Sequence, residues 1–365
     1  MTVEVTQANL SRALSSLARV ASARSTLPIL SNVLIQTDGN RLRLSATNLE
    51  IAITHWVGAK VKEAGSITIP ARLLNDFIGS LPGGTVTLKQ DGAHINITSG
   101  TYESRINGMA SDEFPSLPKI SGENKLTIPT DELKSALAQV LPAVSSDDAR
   151  PVLTGVYLYS NENNLVWVTT DSYRLAEKVI SATSAPEDLS LLIPARTLSE
   201  LLKLVDESDK VEVEFDDSQV KFTVDGSELV SRLIEGKFPA YRQLIPKTND
   251  NSAVVERAEF INITKVASLF AKEAAGSVTL EVDEDKQTIS IKSIASQVGE
   301  NTSTASAKVT GGASVTLNSR YLLDALNVMK EDEVRFEFGG KLSPCVLTSS
   351  GSENDYTHVI MPLRS

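Results

Sequence analysis

The chain has 365 residues, 41% of them hydrophobic, and carries 35 Lys and Arg against 46 Asp and Glu, a net charge of −11. Its mean hydropathy is −0.06, no apolar run approaches the ~20 residues of a membrane-spanning helix, and the first residues lack the charged-then-apolar layout of a secretory signal. One cysteine, Cys345, excludes an internal disulfide framework and points to an intracellular, cytoplasmic protein; with His55, His94 and His358 scattered over the chain, no metal-ligand spacing arises.

The first third opens with a predicted strand over residues 2–6. A helix over 7–22 follows, with Leu10, Ala13, Leu14 and Leu17 at helical spacing. Alternating runs at 29–37, 41–47 and 50–58 predict strands, separated by Asp38-Gly39-Asn40 and by Asn48-Leu49 as tight hairpins. The order then recurs: a strand at 66–69, a helix over 70–81 bearing Leu73, Leu74, Phe77 and Ile78, and strands at 85–89, 94–99 and 102–107. Pro70 and Pro194 stand at helix starts, where a missing N–H costs least.

In the middle third a strand at 125–128 leads to a helix over 130–143 with Leu133, Leu137, Val140 and Leu141 on one face. Strands at 152–160, 165–170 and 175–181 precede a helix over 195–205 and two further strands ending near Gly226. The last third predicts a helix over 258–275 bearing Phe260, Ile263, Val266, Leu269 and Phe270, strands at 278–282, 288–293 and 304–310, and a helix over 318–330.

The three thirds are copies. Arg72, Arg196 and Arg320 open three helices at a constant spacing of 124, and Phe114-Pro115 and Phe238-Pro239 open two linkers, 114–118 and 238–246, at the same spacing. Pro28 and Pro151 lie 123 apart, as do Leu10 and Leu133. A fixed offset over the whole chain marks internal repetition. It predicts an α+β fold of three similar domains, 1–118, 124–246 and 252–365, each of two β-α-β-β-β units with mostly antiparallel sheet. One apolar face per helix predicts that each helix lies against its own sheet. The opposite sheet face is then wet, which suits Val-Glu-Val-Glu-Phe at 211–215 and Arg-Phe-Glu-Phe at 335–338.

The charge is segregated. The six predicted helices hold ten basic and seven acidic residues, a net +3, so strands and loops carry −14. Two readings stand on composition: helices with mixed surface charge, or a basic face that meets nucleic acid despite the acidic total.

No catalytic constellation survives inspection. Asp147-Asp148 and Asp216-Asp217 are adjacent loop carboxylates, whereas acid–base pairs need separately positioned groups. Asp283-Glu284-Asp285 lacks calcium-loop spacing, and Gly83-Gly84 and Gly311-Gly312 are not followed by the Gly-Lys-Ser/Thr of a phosphate loop. Cys345 sits on a predicted strand as a packing residue. No catalytic residue, metal or cofactor is therefore expected. Three other stretches stand out: Thr170-Asp171-Ser172-Tyr173-Arg174-Leu175, the 238–246 linker, and the tail from His358 to Ser365. The tail reads either as a last edge strand or as an adaptable apolar site for partner peptides.

Threefold repetition, Thr-Leu-Pro-Ile-Leu at 26–30, Ile-Pro-Ala-Arg at 69–72, Thr-Asp-Ser-Tyr-Arg-Leu-Ala at 170–176, Phe-Pro-Ala-Tyr-Arg at 238–242 and Met-Pro-Leu-Arg at 361–364 together resemble the bacterial DNA polymerase III β subunit family, the replicative sliding clamps. The resemblance runs end to end. It implies a head-to-tail homodimeric ring with its helices lining the inside around duplex DNA, bound without regard to sequence, and no enzymatic activity. It also implies a hydrophobic pocket between the second and third domains for short motifs of the replicative polymerase, the clamp loader, other polymerases and repair proteins.

Carried over residue by residue, the resemblance assigns DNA contact to Arg24, Arg72, Arg150 and Arg196. It assigns the pocket to Leu153, Thr170, Tyr173, Arg174, Leu175, Pro239, Leu244, Pro344, Val359, Ile360, Met361, Pro362, Leu363 and Arg364, and the dimer interface to Ile106, Leu269 and Phe270. Two positions depart from the family pattern: Ser172, where glycine is common, and the terminal Ser365, where an apolar or aromatic residue is common. A repeat-built protein-binding scaffold without nucleic acid, or an enzyme acting at a domain junction, are the competing readings.

Overall fold

The computed structural model describes residues 1–21, 27–118, 120, 124–182, 185–205, 208–272, 275–295, 299–351 and 355–363. Its helices are α1 (Gln7–Val20), α2 (Ala71–Ser80), α3 (Thr130–Val140), α4 (Ala195–Leu202), α5 (Arg257–Phe270) and α6 (Ser319–Val328). All six lie where the 3.6-residue periodicity predicts them, because each closes an apolar stripe; in α1 this is Leu10, Ala13, Leu14 and Leu17, all buried. Their ends are shorter than predicted. After Val140 the chain tightens into a 3-10 turn, Leu141–Ala143, since Pro142 has no N–H to continue α3. Glu256 caps α5 by accepting from Ala258 N and Glu259 N, and Asn318 caps α6 by accepting from Arg320 N. Among the described residues no helix is long and apolar enough to cross a membrane.

Two strand starts require correction. The strands predicted at 29–37 and 152–160 begin as 3-10 turns, Pro28–Ser31 and Pro151–Leu153, and become strand only at Asn32–Asp38 and Gly155–Asn161. In both copies the proline fixes the turn's φ, and a hydroxyl closes it: Ser31 Oγ donates to Pro28 O at 2.7 Å and Thr154 Oγ1 to Pro151 O at 2.8 Å.

The chain forms two compact units. The first comprises residues 1–131 and 196–233. It holds a five-stranded sheet in the order Lys60–Glu63, Thr2–Thr6, Thr85–Asp91, His94–Ser99, Tyr102–Asn107. It also holds an eight-stranded sheet in the order Asn124–Pro129, Lys210–Phe215, Gln219–Val224, Ser227–Arg232, Ile51–Gly58, Arg41–Thr47, Asn32–Asp38, Ser66–Pro70. Helix α1 packs on α2 as well as on the 41–47 and 51–58 strands.

The second unit comprises residues 132–195 and 234–365. Its twelve strands run in the order Ser190–Pro194, Gly155–Asn161, Asn164–Thr170, Arg174–Ser181, Tyr356–Ile360, Cys345–Ser349, Glu333–Phe338, Asn251–Glu256, Gly299–Thr310, Thr288–Ala295, Ser277–Asp283, Ala313–Asn318. Every named pairing in both units is antiparallel, as expected for hairpin-linked strands.

The sheets cross the repeat boundaries. Ser227 pairs with His55, and Arg174 pairs with Ile360, so the two halves of the middle repeat join sheets with different neighbours. The expectation of a separate sheet under each helix is thereby revised to sheets shared between successive repeats. Side chains still alternate: Lys210–Phe215 buries Val211, Val213 and Phe215 and turns Lys210 and Glu212 outward.

At the 227–55 seam His55 is buried, with Nε2 2.5 Å from Ser16 Oγ and Nδ1 2.6 Å from Ser227 Oγ. Burial, helped by the nearby Arg19 charge, lowers its pKa from 6.5 to about 4. The unfolded chain takes up this proton at the ordinary value, while the fold refuses it until about pH 4. The stabilisation is therefore complete above pH 6.5 and is lost as pH falls towards 4, by up to about 1.4 kcal/mol per pH unit. Thermal melts at about pH 7 and pH 4.5 should show a larger drop in midpoint for the wild type than for His55→Gln. Equal drops would remove His55 from the acid response.

Candidate functional site

The stretch 170–175 is a tight turn joining strands Asn164–Thr170 and Arg174–Ser181. Its side chains build it. Thr170 Oγ1 donates to Arg174 O at 2.7 Å and accepts from Ser172 N at 3.1 Å. Asp171 Oδ1 accepts from Tyr173 N and Arg174 N, both at 2.9 Å. Ser172 sits at φ +78°, a conformation glycine adopts more readily. The turn leaves Tyr173 pointing outward, 59% exposed.

Strand alternation sorts the proposed pocket residues. Thr170 pairs with Leu175, and Leu175 with Val359, so these three share one sheet face. On that face Val166, Val168, Leu175, Leu192 and Val359 form an apolar cluster with Phe238 and Tyr241 of the linker. The 238–246 segment is thus a strap over the sheet. It is pinned by the stacking of Phe238 on Tyr157 at 5.1 Å, by a 2.7 Å bond between the Tyr159 and Tyr241 hydroxyls, by Tyr241 donating to Glu177, and by Arg242 Nε donating to Tyr159 Oη at 3.1 Å. The strap leaves Pro239 and Leu244 exposed, Leu244 at 45%.

The tail completes the surface. After strand Tyr356–Ile360, Met361 N donates to Tyr173 O at 2.8 Å and Leu363 N to Thr316 O at 2.8 Å. Met361, Pro362, Leu363 and Pro344 are half-buried. The reading of the tail as a last edge strand is corrected: Tyr356–Ile360 is an interior strand, paired with Arg174–Ser181 on one side and Cys345–Ser349 on the other, and the apolar side chains that follow it stay partly open.

Two proposed pocket residues face elsewhere. Arg174 and Ile360 are paired with each other on the opposite sheet face; Ile360 is fully buried and Arg174 is 7% exposed. Arg174 Nε donates to Asp171 Oδ2 at 3.1 Å and Nη1 to Asp324 Oδ2 at 2.5 Å, and its guanidinium lies 4.4 Å from the centre of the Tyr321 ring. The TDSYRLA motif alone could not separate Arg174 from Tyr173, since only the pairing register tells which way each points. Leu153, in its 3-10 turn, is buried at 4%. Arg364 lies outside the described residues.

Arg72 and Arg196 are exposed in the first turns of α2 and α4. Arg150 is exposed but engaged, with Nε on Asp147 Oδ2 at 3.0 Å and Nη1 on Ser172 Oγ at 2.9 Å, and its hydrogen bond, with that of Ala149 N, holds the Asp147 carboxyl below the usual range. Asp147 and Asp216 are turn formers, accepting from Ala149 N and from Ser218 N respectively. Arg24 lies outside the described residues. Arg12 and Arg19 of α1, with Lys203, line a cleft of about 510 Å³ in the first unit, a set of cations not singled out from the sequence. Burial opposes ionisation of Glu200, but bonds from Arg19 and Lys203 at 2.8 and 2.9 Å outweigh it and keep its carboxyl below the ordinary range.

Of the proposed interface residues, Leu269 is 62% exposed and Phe270 is half-buried. Val266 and Ile294 are also exposed apolar residues, at 42% and 69%. Ile106 instead points inward at 5% exposure, opposite Ile95, so the free feature of Tyr102–Asn107 is its backbone edge. Gly299–Thr310 offers a comparable edge: it pairs with Thr288–Ala295 along 299–306, and Asn251–Glu256 covers only 307–310 on its other side.

Three models of one family match the chain in succession: the N-terminal domain of the DNA polymerase III beta subunit over 1–118, the central domain over 127–240 and the C-terminal domain over 242–364. The beta sliding clamp of Synechocystis sp. is 33% identical, over 98% of each chain. The DNA polymerase sliding clamp of Bacillus subtilis superposes with a TM-score of 0.95 at 28% identity, covering 100% of this chain and 99% of that one. The sliding clamp of Pseudomonas aeruginosa bound to griselimycin superposes with a TM-score of 0.95 at 25% identity, covering 100% of each chain.

Proposed function

Because the chain belongs to the DNA polymerase III beta subunit family, and so serves DNA replication as a non-catalytic processivity factor, we propose that two copies close head to tail into a ring around duplex DNA in the cytoplasm. In this reading the helices face the duplex, with Arg24, Arg72, Arg150 and Arg196 meeting phosphates. Phosphate contacts carry no sequence information, which is what a sliding protein needs. The surface made by Thr170, Tyr173, Leu175, Pro239, Leu244, Val359 and Met361 to Leu363 takes short apolar segments of the replicative polymerase, the clamp loader and repair proteins.

The observation that carries the partner surface is the composite of three segments distant in sequence. Leu175 after the turn, Phe238 and Tyr241 of the strap and Val359 before the tail share one buried apolar cluster, Met361 N bonds Tyr173 O, and Tyr173, Leu244, Met361 and Leu363 are exposed or half-buried. A few apolar anchors in such a setting concentrate binding energy.

Griselimycin, which the relative from P. aeruginosa binds, is a ready probe. Titration of the wild type against Tyr173→Ala, Leu244→Glu and Met361→Ala should show each variant weakened by about 1–2 kcal/mol, roughly 5- to 30-fold, with dimer mass unchanged. Wild-type affinity in all three would remove this surface from partner binding.

A further inference from the structure

The 170–174 turn is built twice in this chain. Between strands Arg41–Thr47 and Ile51–Gly58, Thr47 Oγ1 donates to Ile51 O at 2.9 Å and accepts from Leu49 N at 3.0 Å. Asn48 Oδ1 accepts from Glu50 N at 3.0 Å and from Ile51 N at 2.8 Å, and Leu49 sits at φ +76° against +78° for Ser172. Even the neighbouring strand grips both turns alike: Arg232 N donates to Glu50 O at 3.0 Å, as Met361 N does to Tyr173 O at 2.8 Å.

Of the two buried positions of the turn, Thr47 matches Thr170, and the one that differs in kind is the last. Ile51, 2% exposed, stands where the second copy has Arg174. The first copy acts as an internal control: the turn forms with the same bonds around a buried isoleucine, so its shape does not require an arginine. Burying a charge is costly unless it is closely paired, and Arg174 is paired with Asp171 and Asp324 and stacked on Tyr321. Asp171 belongs to the turn itself, whereas Asp324 and Tyr321 belong to α6. What the arginine adds is therefore a tie from the turn to α6.

That tie runs beside the tail. Met361 is held to the turn, and Leu363 is held to Thr316 on the strand Ala313–Asn318 that leads directly into α6. The same span, from turn to α6, is thus bridged once by the tail backbone and once by the Arg174 side chain. We propose that Arg174 is a positioning residue of the partner-binding surface: without touching the partner, it ties the 170–174 turn to α6 through Asp324 and Tyr321, and so sets the distance over which Tyr173, Met361 and Leu363 present their side chains. This rests on the reading of that surface as the partner site.

Griselimycin affinity of the full-length protein tests it, with dimer mass and melting midpoint as folding controls. Arg174→Met and Asp324→Asn should each weaken binding at least fivefold. The double variant should lose no more than the worse single one, because both remove the same tie. Asp324→Glu, which keeps the carboxylate, should stay within threefold of wild type. If Arg174→Met does not fold, Asp324→Asn, altering a partly exposed side chain, carries the test. Wild-type affinity in Asp324→Asn while Tyr173→Ala is weakened would overturn the tie and leave the surface standing. Additive losses in the double variant would also overturn it. Failure of the wild type itself to bind would overturn the surface and the tie together.

Discussion

A single cut in a circular plasmid is expected to release the protein from it, whereas salt that strips the protein from short linear duplex should leave it on the uncut circle. The expectation follows from separating topology from affinity. Phosphate contacts made by a few arginines release counterions and weaken steeply as salt rises. Escape from a closed circle requires the ring to open, and phosphate contacts do not enter that barrier. Alanine at Arg24, Arg72, Arg150 and Arg196 should accordingly impair loading and binding to linear DNA far more than retention on the circle. The contrast should be large, with release within the time of the digest against retention over many times that period. The measurement is the amount of protein co-eluting with loaded plasmid before and after linearisation; equal loss from cut and uncut plasmid would falsify encirclement.

Charge placed at α5 is expected to give monomers. Leu269 and Val266 are exposed apolar residues on this helix, Ile294 is a third, and Phe270 is partly open. Two unpaired strand edges, at 102–107 and 299–306, are complementary in kind, and an edge left open is a liability unless another strand covers it. A head-to-tail contact between them would close a ring of two copies. Burying one leucine in such a contact is worth ~1.5–3 kcal/mol, and an unpaired carboxylate in its place costs more. Leu269→Asp with Val266→Asp should therefore weaken the dimer by at least about three powers of ten, since every 1.4 kcal/mol is tenfold. Mass determination at low micromolar concentration reads this directly, and a dimer of unchanged mass would place the interface elsewhere. Ile106→Asp is a poor substitute: that side chain lies inside the five-stranded sheet, so its replacement tests folding.

The helices and most hairpins were legible because their signal is local. The stripe of Leu10, Ala13, Leu14 and Leu17 and the Asp38-Gly39 hairpin turn need no distant partner to be recognised. The 3-10 entries at Pro28 and Pro151 were missed because apolar residues after proline read equally well as strand. Pairing between repeats had no local signal at all. That Ser227 would meet His55, or Arg174 meet Ile360, depends on strand edges, whose N–H and C=O groups are the same for every residue. The site suffered the same limit. Its segments could be named, but Arg174 was grouped with Tyr173, and Ile360 with Val359, until register assigned them to opposite faces.

The pairing of Tyr356–Ile360 with Arg174–Ser181 also sets an order of events during synthesis. The ribosome completes residue 175 long before residue 359, and the intervening chain of the third repeat must be made before the fifth strand in the row can arrive. Until then strand 174–181 has one open side, and Tyr173 O waits for the amide of Met361. The surface proposed for partners is consequently incomplete until residues 356–363 have been made. A nascent or prematurely terminated chain displays the floor without the tail, so on the proposed reading it has no finished surface with which to compete for a partner. Assembly of that surface is in this way coupled to the synthesis of residues 356–363.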